Sequence, residues 1–520
     1  MPKTFRHRGS IAWLSEEDQV ALRRDAIRVA LMHRPSLRLG ASTLLILAVT
    51  TPEAIAQPST VLAQRIEAQL VKASPGTRFG FVVTRDDATE LIAINPEARF
   101  IPASNTKIFT TAAALAMLNA LDQPDAAGGT RIRLEQHRSL VPDVVLEGRG
   151  DARMSSAPDC ITDCLATLAD AVAAATHAVH DVVGDDSMFP DQRWSPGMSW
   201  NNIPTRSGTA TSALTLDNNE LPMTVTPTRV GEPPKLDLLP YYIIDNRALT
   251  LATGATGLDF DRAPNGFTIR LTGTIAADAK PQRVVFGIDD PAHYAAWRLR
   301  AMLEARGVRV TGRPVVHHRP LTPADDPVIR NGTPAARPPL VPALAVLIPP
   351  SLLEDLAIIN KTSQNLHAEL MLRRLGAPTG SGSIADGVAV LRTMLDRAGV
   401  DRRHYSFSDG GGMSTYNRIA PRGVVRLLQW IAVQPWGPAW RATLPVGGEG
   451  MLARRFAGTT LSGKIFAKTG TLNATSALSG YMIAKSGRTL TFSAIANDIP
   501  DGDNPSSAVD AALIMIADTN

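Results

Sequence analysis

Ser104-Asn105-Thr106-Lys107 places a hydroxyl three residues ahead of an amine, which on a helix puts both on one face. Two further tripeptides follow, Ser363-Gln364-Asn365 and Lys468-Thr469-Gly470. Acyl transfer by a serine needs a nucleophile, a base, an acid for the leaving group and donors for an oxyanion. The three motifs can supply these without a histidine, a metal ion or any other cofactor. Lysine is scarce, with nine residues among 53 Lys plus Arg. Arginine could not act as a base at 107, because a guanidinium keeps its proton, whereas a buried or positively crowded lysine gives it up. The ten histidines form no recognisable triad.

In this reading Ser104 is the nucleophile and Lys107 its general base. Lys468 is a second cation which, together with burial, lowers the pKa of Lys107. Ser363 relays the proton to the leaving amine, and Asn365 holds both Lys107 and a substrate amide. Thr469, Gly470 and Thr471 form a substrate-binding edge, with Lys468 and Thr469 taking an anionic group such as a terminal carboxylate. The backbone N–H groups of Ser104 and Thr471 are the oxyanion donors. Taken singly, each residue has a plainer reading: a helix N-cap for Ser104, a solvated strand position for Lys468, a turn or cap for Asn365. Composition alone predicts about 0.5 Ser-x-x-Lys matches and about 0.06 Lys-Thr-Gly matches. What overturns the plainer readings is the joint order of the motifs, the elements that carry them and an export signal.

Those elements are legible. Residues 61–71 read as a helix, and 79–84 and 91–95 as a β-hairpin. Residues 108–120 are a run of helix formers, so Ser104 stands at a helix N-terminus. From about 125 to 340 the chain changes to short β-rich runs broken by Gly, Pro and Asp. It closes with ten prolines between Pro314 and Pro350, a stretch that excludes regular helix or central strand. Helices are expected over 352–359, 366–375, 384–398 and 422–433, strands over 465–472, 477–484 and 489–497, and a closing helix over 507–517. The expected fold is α+β: one antiparallel sheet flanked by helices, built from 57–124 and 341–520 and split by a β-rich insertion at 125–340.

At 520 residues the chain exceeds one core. Its net charge of +4 is spread out and its aromatic content is 5%, so nucleic-acid binding is not indicated. Residues 1–56 read as an N-terminal extension plus a signal peptide. Arg34 and Arg38 precede the apolar run 44–49, and Ala54-Ile55-Ala56 is a small-x-small cleavage site before Gln57. Met32 is the expected start of that signal, and an uncleaved anchor is the alternative. Cys160 and Cys164 suit one helical face, as two small buried residues or as a local disulfide. A zinc site would need His177 and His180 as well.

Longer stretches around the motifs resemble the class C penicillin-binding proteins, the D-alanyl-D-alanine carboxypeptidase/endopeptidase family of serine peptidases. These are Phe100-Ile101-Pro102-Ala103-Ser104 with Lys107, Gly148-Arg149-Gly150-Asp151, Gly184-Asp185-Asp186-Ser187-Met188-Phe189, Ser212-Ala213-Leu214, residues 360–369, Asp409-Gly410-Gly411-Gly412-Met413-Ser414 and residues 467–481. The resemblance covers roughly residues 60–515. It implies a penicillin-binding, transpeptidase-like domain with one inserted domain nested in another. It also implies an exported, periplasmic or envelope-associated hydrolase without a stable transmembrane anchor, acting on peptidoglycan stem peptides through an acyl-enzyme. β-Lactams would be its covalent inhibitors. The chain departs from the family pattern at Gln364, where Asp is frequent, and at Gly411, where Ser is common. A β-lactamase or esterase on the same fold, and a non-catalytic peptidoglycan-binding scaffold, are the alternatives.

Overall fold

The computed structural model describes residues 58–520 except 137–139 and 338. The expected signal peptide lies outside the described residues. The first helix, α1 (Pro58–Ala73), leads into the hairpin β1 (Arg78–Thr84) and β2 (Glu90–Ile94). From the far end of the chain come β3 (Ile465–Leu472), β4 (Thr475–Ile483) and β5 (Thr489–Asn497). All five strands join one antiparallel sheet in the order β3-β4-β5-β1-β2. Ends separated by more than 350 residues meet because β1 and β5 pair in register from Arg78–Asn497 to Thr84–Thr491.

The central strands β1 and β5 are buried along almost their whole length, so both faces of the sheet must be covered. On one face Ile66 and Leu70 of α1 and Leu513 and Ile516 of the closing helix Ser506–Thr519 pack against Phe81, Val83 and Phe492. On the other lie α2 (Thr106–Met117), α3 (Leu352–Lys361), α4 (Asn365–Gly376), α5 (Ile384–Arg397) and α6 (Pro421–Ala432). Helix α2 is buried at every position from Thr106 to Ala114. A helix without a wet face belongs in a core, and the small Ala112, Ala113 and Ala114 let its neighbours approach.

Between α2 and α3 the chain builds separate sheets. Arg131–Glu135, Asp143–Glu147, Val182–Pro190, Pro314–Arg319 and Ala345–Val346 form a mixed five-stranded sheet, covered by helices Leu165–Ala175 and Pro291–Ala305. Pro314–Arg319 is an edge strand, the place where a proline costs least. Residues 345–346 add to this sheet beyond the point where the composition changes. Two smaller sheets fall within 220–287.

Cys160 and Cys164 form a disulfide with an S–S distance of 2.06 Å. They do not share a helical face: Cys164 is the N-cap of Leu165–Ala175 and Cys160 lies in the loop before it. Both sulfurs are thereby removed as zinc ligands.

Candidate active site

Ser104 sits on a tight single turn, Ala103–Asn105, that runs into α2. Ala103 is left-handed at φ +48°, and Ser363 across the site is left-handed at φ +60°. Non-glycine residues hold that conformation only where surrounding contacts impose it. Ser104 is partly exposed, whereas Lys107 and Lys468 are wholly buried.

The structure brings the three motifs together. Lys107 Nζ donates to Ser104 Oγ at 3.0 Å, to Asn365 Oδ1 at 2.6 Å and to the Gly411 carbonyl. Lys468 Nζ donates to Ser363 Oγ and to the Thr469 carbonyl, each at 2.9 Å. Strand β3 runs directly against the Ser104 turn. A Cβ added at Gly470 would lie 2.7 Å from the Pro102 carbonyl oxygen and 3.2 Å from the Asn105 nitrogen, so glycine is what permits the approach. Thr469 and Thr471 are partly or fully exposed on either side of Gly470.

Burial drives Lys107 down to about 8, against the pull of Asp409 and Glu369, which favour its charged form. Lys468 lies well below the ordinary lysine range, through burial first and the Lys107 charge second. Lys107 and Lys468 repel one another, so each makes the other's charged form harder to hold, while Asp409 and Glu369 favour a charged Lys107.

Asn365 divides its two ends. Its Oδ1 takes Lys107, as expected, but its amide donates to the Ser207 carbonyl at 2.9 Å. Ser207 belongs to the segment between α2 and α3. That segment also receives Ser414 Oγ on the Pro196 carbonyl and Thr415 Oγ1 on the Gly197 carbonyl. It thus forms a wall of the site. Gln364 caps α4 by accepting the Leu366 N–H at 3.1 Å.

Sequence reasoning passed over the loop at 409–417 as machinery. Asp409 is fully buried and accepts from the Gly412 and Ser414 N–H groups and from Asn417 Nδ2. Asn417 Nδ2 also reaches Thr106 Oγ1 at 3.2 Å, and Thr110 Oγ1 donates to the Gly410 carbonyl at 2.8 Å. The glycine run 410–412 was the available signal. Below Lys107, Thr111 Oγ1 donates to the Lys107 carbonyl and accepts from Trp440 Nε1 and Asn360 Nδ2, tying α2 to its neighbours. A separate cavity of about 560 Å³ opens at the other end of α2, lined by Leu118, Asp125, Arg149, Arg337 and Arg374.

A constellation of serine, buried amine and a second serine–lysine pair can deprotonate a hydroxyl, attack a carbonyl and return the proton. Comparison with known proteins agrees with that chemistry. The model of the D-Ala-D-Ala carboxypeptidase 3 (S13) family matches residues 62–519. The chain is 33% identical over 519 residues to a D-alanyl-D-alanine carboxypeptidase of Actinomadura sp., covering 95% of this chain and 90% of that protein. It is 23% identical over 463 residues to the D-alanyl-D-alanine carboxypeptidase DacB of Haemophilus influenzae, covering 85% and 90%. Among solved structures, penicillin binding protein 4 (dacB) of Haemophilus influenzae superposes with a TM-score of 0.71 at 20% identity, covering 86% of this chain and 98% of that one. The same protein complexed with a β-lactam superposes with a TM-score of 0.68.

Proposed function

The chain belongs to the D-Ala-D-Ala carboxypeptidase 3 family of serine peptidases, and from that premise we propose that it cleaves the terminal D-alanine from peptidoglycan stem peptides through an acyl-enzyme on Ser104. The observation that carries this reading is the placement of Lys107 Nζ between Ser104 Oγ and Asn365 Oδ1, with Ser363 and Lys468 opposite.

Neutral Lys107 takes the Ser104 proton as Oγ attacks the carbonyl between two D-alanines. The oxyanion meets the N–H groups of Ser104 and Thr471, and the substrate's terminal carboxylate lies at Lys468 and Thr469. The proton passes from Lys107 by way of Ser363 to the leaving amine, and D-alanine departs. Water then attacks the ester, gives a proton back through Lys107 to Ser104 Oγ, and frees the shortened peptide. Cross-links that run through a D-alanyl carbonyl share the acyl side of that bond, so endopeptidase activity follows from the same steps. A β-lactam presents a strained amide to the same atoms and leaves a stable ester on Ser104.

The substrate lies in the cell wall, and the N-terminal signal supports export to the periplasm or envelope. Among the described residues no helix is long and apolar enough to cross a membrane.

The test is intact-protein mass after incubation with benzylpenicillin, beside Ser104→Ala. One penicillin retained by the wild type and none by the variant is the expected result. A transient adduct with hydrolysis of the drug would indicate a β-lactamase instead, and no adduct at all would favour a non-catalytic scaffold.

A further inference from the structure

Glu369 stands on α4 four residues beyond Asn365, on the same helical face. Its Oε1 accepts two backbone N–H groups, from Gly410 at 3.0 Å and from Gly411 at 2.7 Å. The carbonyl sides of the same two residues meet α2: Gly411 accepts Lys107 Nζ and Gly410 accepts Thr110 Oγ1. Glycine has the widest backbone freedom of any residue, so hydrogen bonds set the orientation of this turn. A side chain at Gly410 would meet backbone, and one at Gly411 would press on the Glu369 carboxylate itself. A Cβ at Gly410 would lie 2.7 Å from the Ala368 carbonyl oxygen, and one at Gly411 would lie 3.1 Å from Glu369 Oε1.

We propose that Glu369 is a positioning residue for acylation: one carboxylate oxygen anchors the Gly410-Gly411 turn, and the turn's outer carbonyl holds Lys107 on Ser104. The inference rests on Lys107 being the base, as read above, and adds a residue that touches neither substrate nor nucleophile.

The charged groups facing Glu369 are Asp409 from the loop, Arg373 from its own helix and Lys107 from α2. Burial and the Asp409 charge push Glu369 up to about 8, while Arg373 and the two N–H bonds pull it back. Lys107 is brought down to about 8 by burial, with Asp409 and Glu369 opposing. An ionised Glu369 favours a charged Lys107, so removing that charge eases loss of the lysine proton. Glutamine keeps an acceptor oxygen for both N–H groups but carries no charge, whereas alanine removes the anchor as well.

The experiment measures the second-order rate of acylation by a fluorescent penicillin between about pH 6 and 10, with a thermal melt of each protein. Wild type, Glu369→Gln, Glu369→Ala and Lys107→Ala are compared. Glu369→Ala should acylate about 10²-fold more slowly at every pH, the usual cost of a reacting group misplaced by about an ångström. Glu369→Gln should stay within about tenfold of wild type at high pH, with its rising limb displaced to lower pH. If Glu369→Ala does not fold, the displaced limb of Glu369→Gln alone supports the proposal. Acylation of a folded Glu369→Ala at the wild-type rate would sink it and leave Glu369 a packing residue, as would a wild-type midpoint in Glu369→Gln where the alanine variant does not fold. Acylation of Lys107→Ala at the wild-type rate would instead overturn the reading of the base, whatever Glu369 does.

Discussion

At Gly412 the loop touches the Ala103-Ser104 turn itself, so Gly412→Ala tests the assembly of the site through one methyl group. The added Cβ would lie 1.9 Å from the Ala103 carbonyl oxygen, 2.5 Å from its carbon and 3.0 Å from the Ser104 nitrogen. Carbon and oxygen rest at roughly 3.3–3.6 Å, so the two segments must part by about 1.4 Å or more. Gly412 also has φ +89°, a left-handed backbone that costs an alanine about 1–2 kcal/mol. Overpacking of a close contact adds about 1–3 kcal/mol. The expected loss of stability is therefore about 2–5 kcal/mol. Because the displaced atoms belong to the nucleophile turn, acylation by penicillin should slow by about 10²-fold, beyond any effect of unfolding. Gly458→Ala is the matching control. Its φ is +70° and nothing lies within 4 Å of the added Cβ. It should lose about 1 kcal/mol of stability, from the backbone alone, and acylate normally. The assays are thermal melts and acylation kinetics on folded protein. A Gly412→Ala protein that acylates as fast as the control would refute the packing of loop against nucleophile described above.

The acylation rate of the wild type should rise with pH through the Lys107 value of about 8, because only the neutral amine is a base; the limb should span roughly tenfold from pH 7 to 9. Lys107→Arg should abolish that limb and the activity, since a guanidinium does not deprotonate. Ser363→Ala removes one of two acceptors of Lys468 and the proposed relay to the leaving amine, so peptide turnover should fall by about 10²-fold or more in kcat, read by D-alanine release. His318 lies between Asp186 and Asp290, whose hydrogen bonds raise it to about 10. A raised folded-state pKa stabilises fully below the unfolded value near 6.5 and is lost as pH climbs through the folded one. The wild-type melting temperature should thus fall between pH 7 and 10, and His318→Gln should flatten that fall. The disulfide closes a separation of only four residues, so its reduction should cost at most about 2 kcal/mol and leave acylation unchanged, as read by melts and kinetics with and without a reductant.

Much of the fold was legible because it is written in local periods. Alternating and continuous apolar runs mark the three C-terminal strands, and a three-residue spacing puts Lys107 beside Ser104 on any helix. The cysteine pair misled for a related reason. A separation of four suits a helical face, but Asp163 between them is left-handed at φ +60°, which breaks a helix before Cys164. Lys107 and Lys468 announced themselves because lysine is scarce in this composition, and Ser104, Ser363 and Asn365 did so through their order and spacing relative to those lysines. Glu369, Asp409 and Thr110 carry ordinary side chains at ordinary positions, and only their long-range partners give them a role.

The chemistry open to this chain was therefore set in one dimension: a hydroxyl, two amines and a relay, in an order and on elements that could meet. The folded chain decided how far those groups leave their ordinary ranges. Burial brings Lys107 to about 8 with Asp409 and Glu369 opposing, and burial with the Lys107 charge holds Lys468 well below the lysine range. It also supplied acceptors that no side-chain pattern encodes, the Gly411 carbonyl for Lys107 and the Ser207 carbonyl for Asn365. Every residue carries a carbonyl, so nothing in a sequence distinguishes the two that matter. Burial and distance do, and both exist only once segments hundreds of residues apart have packed.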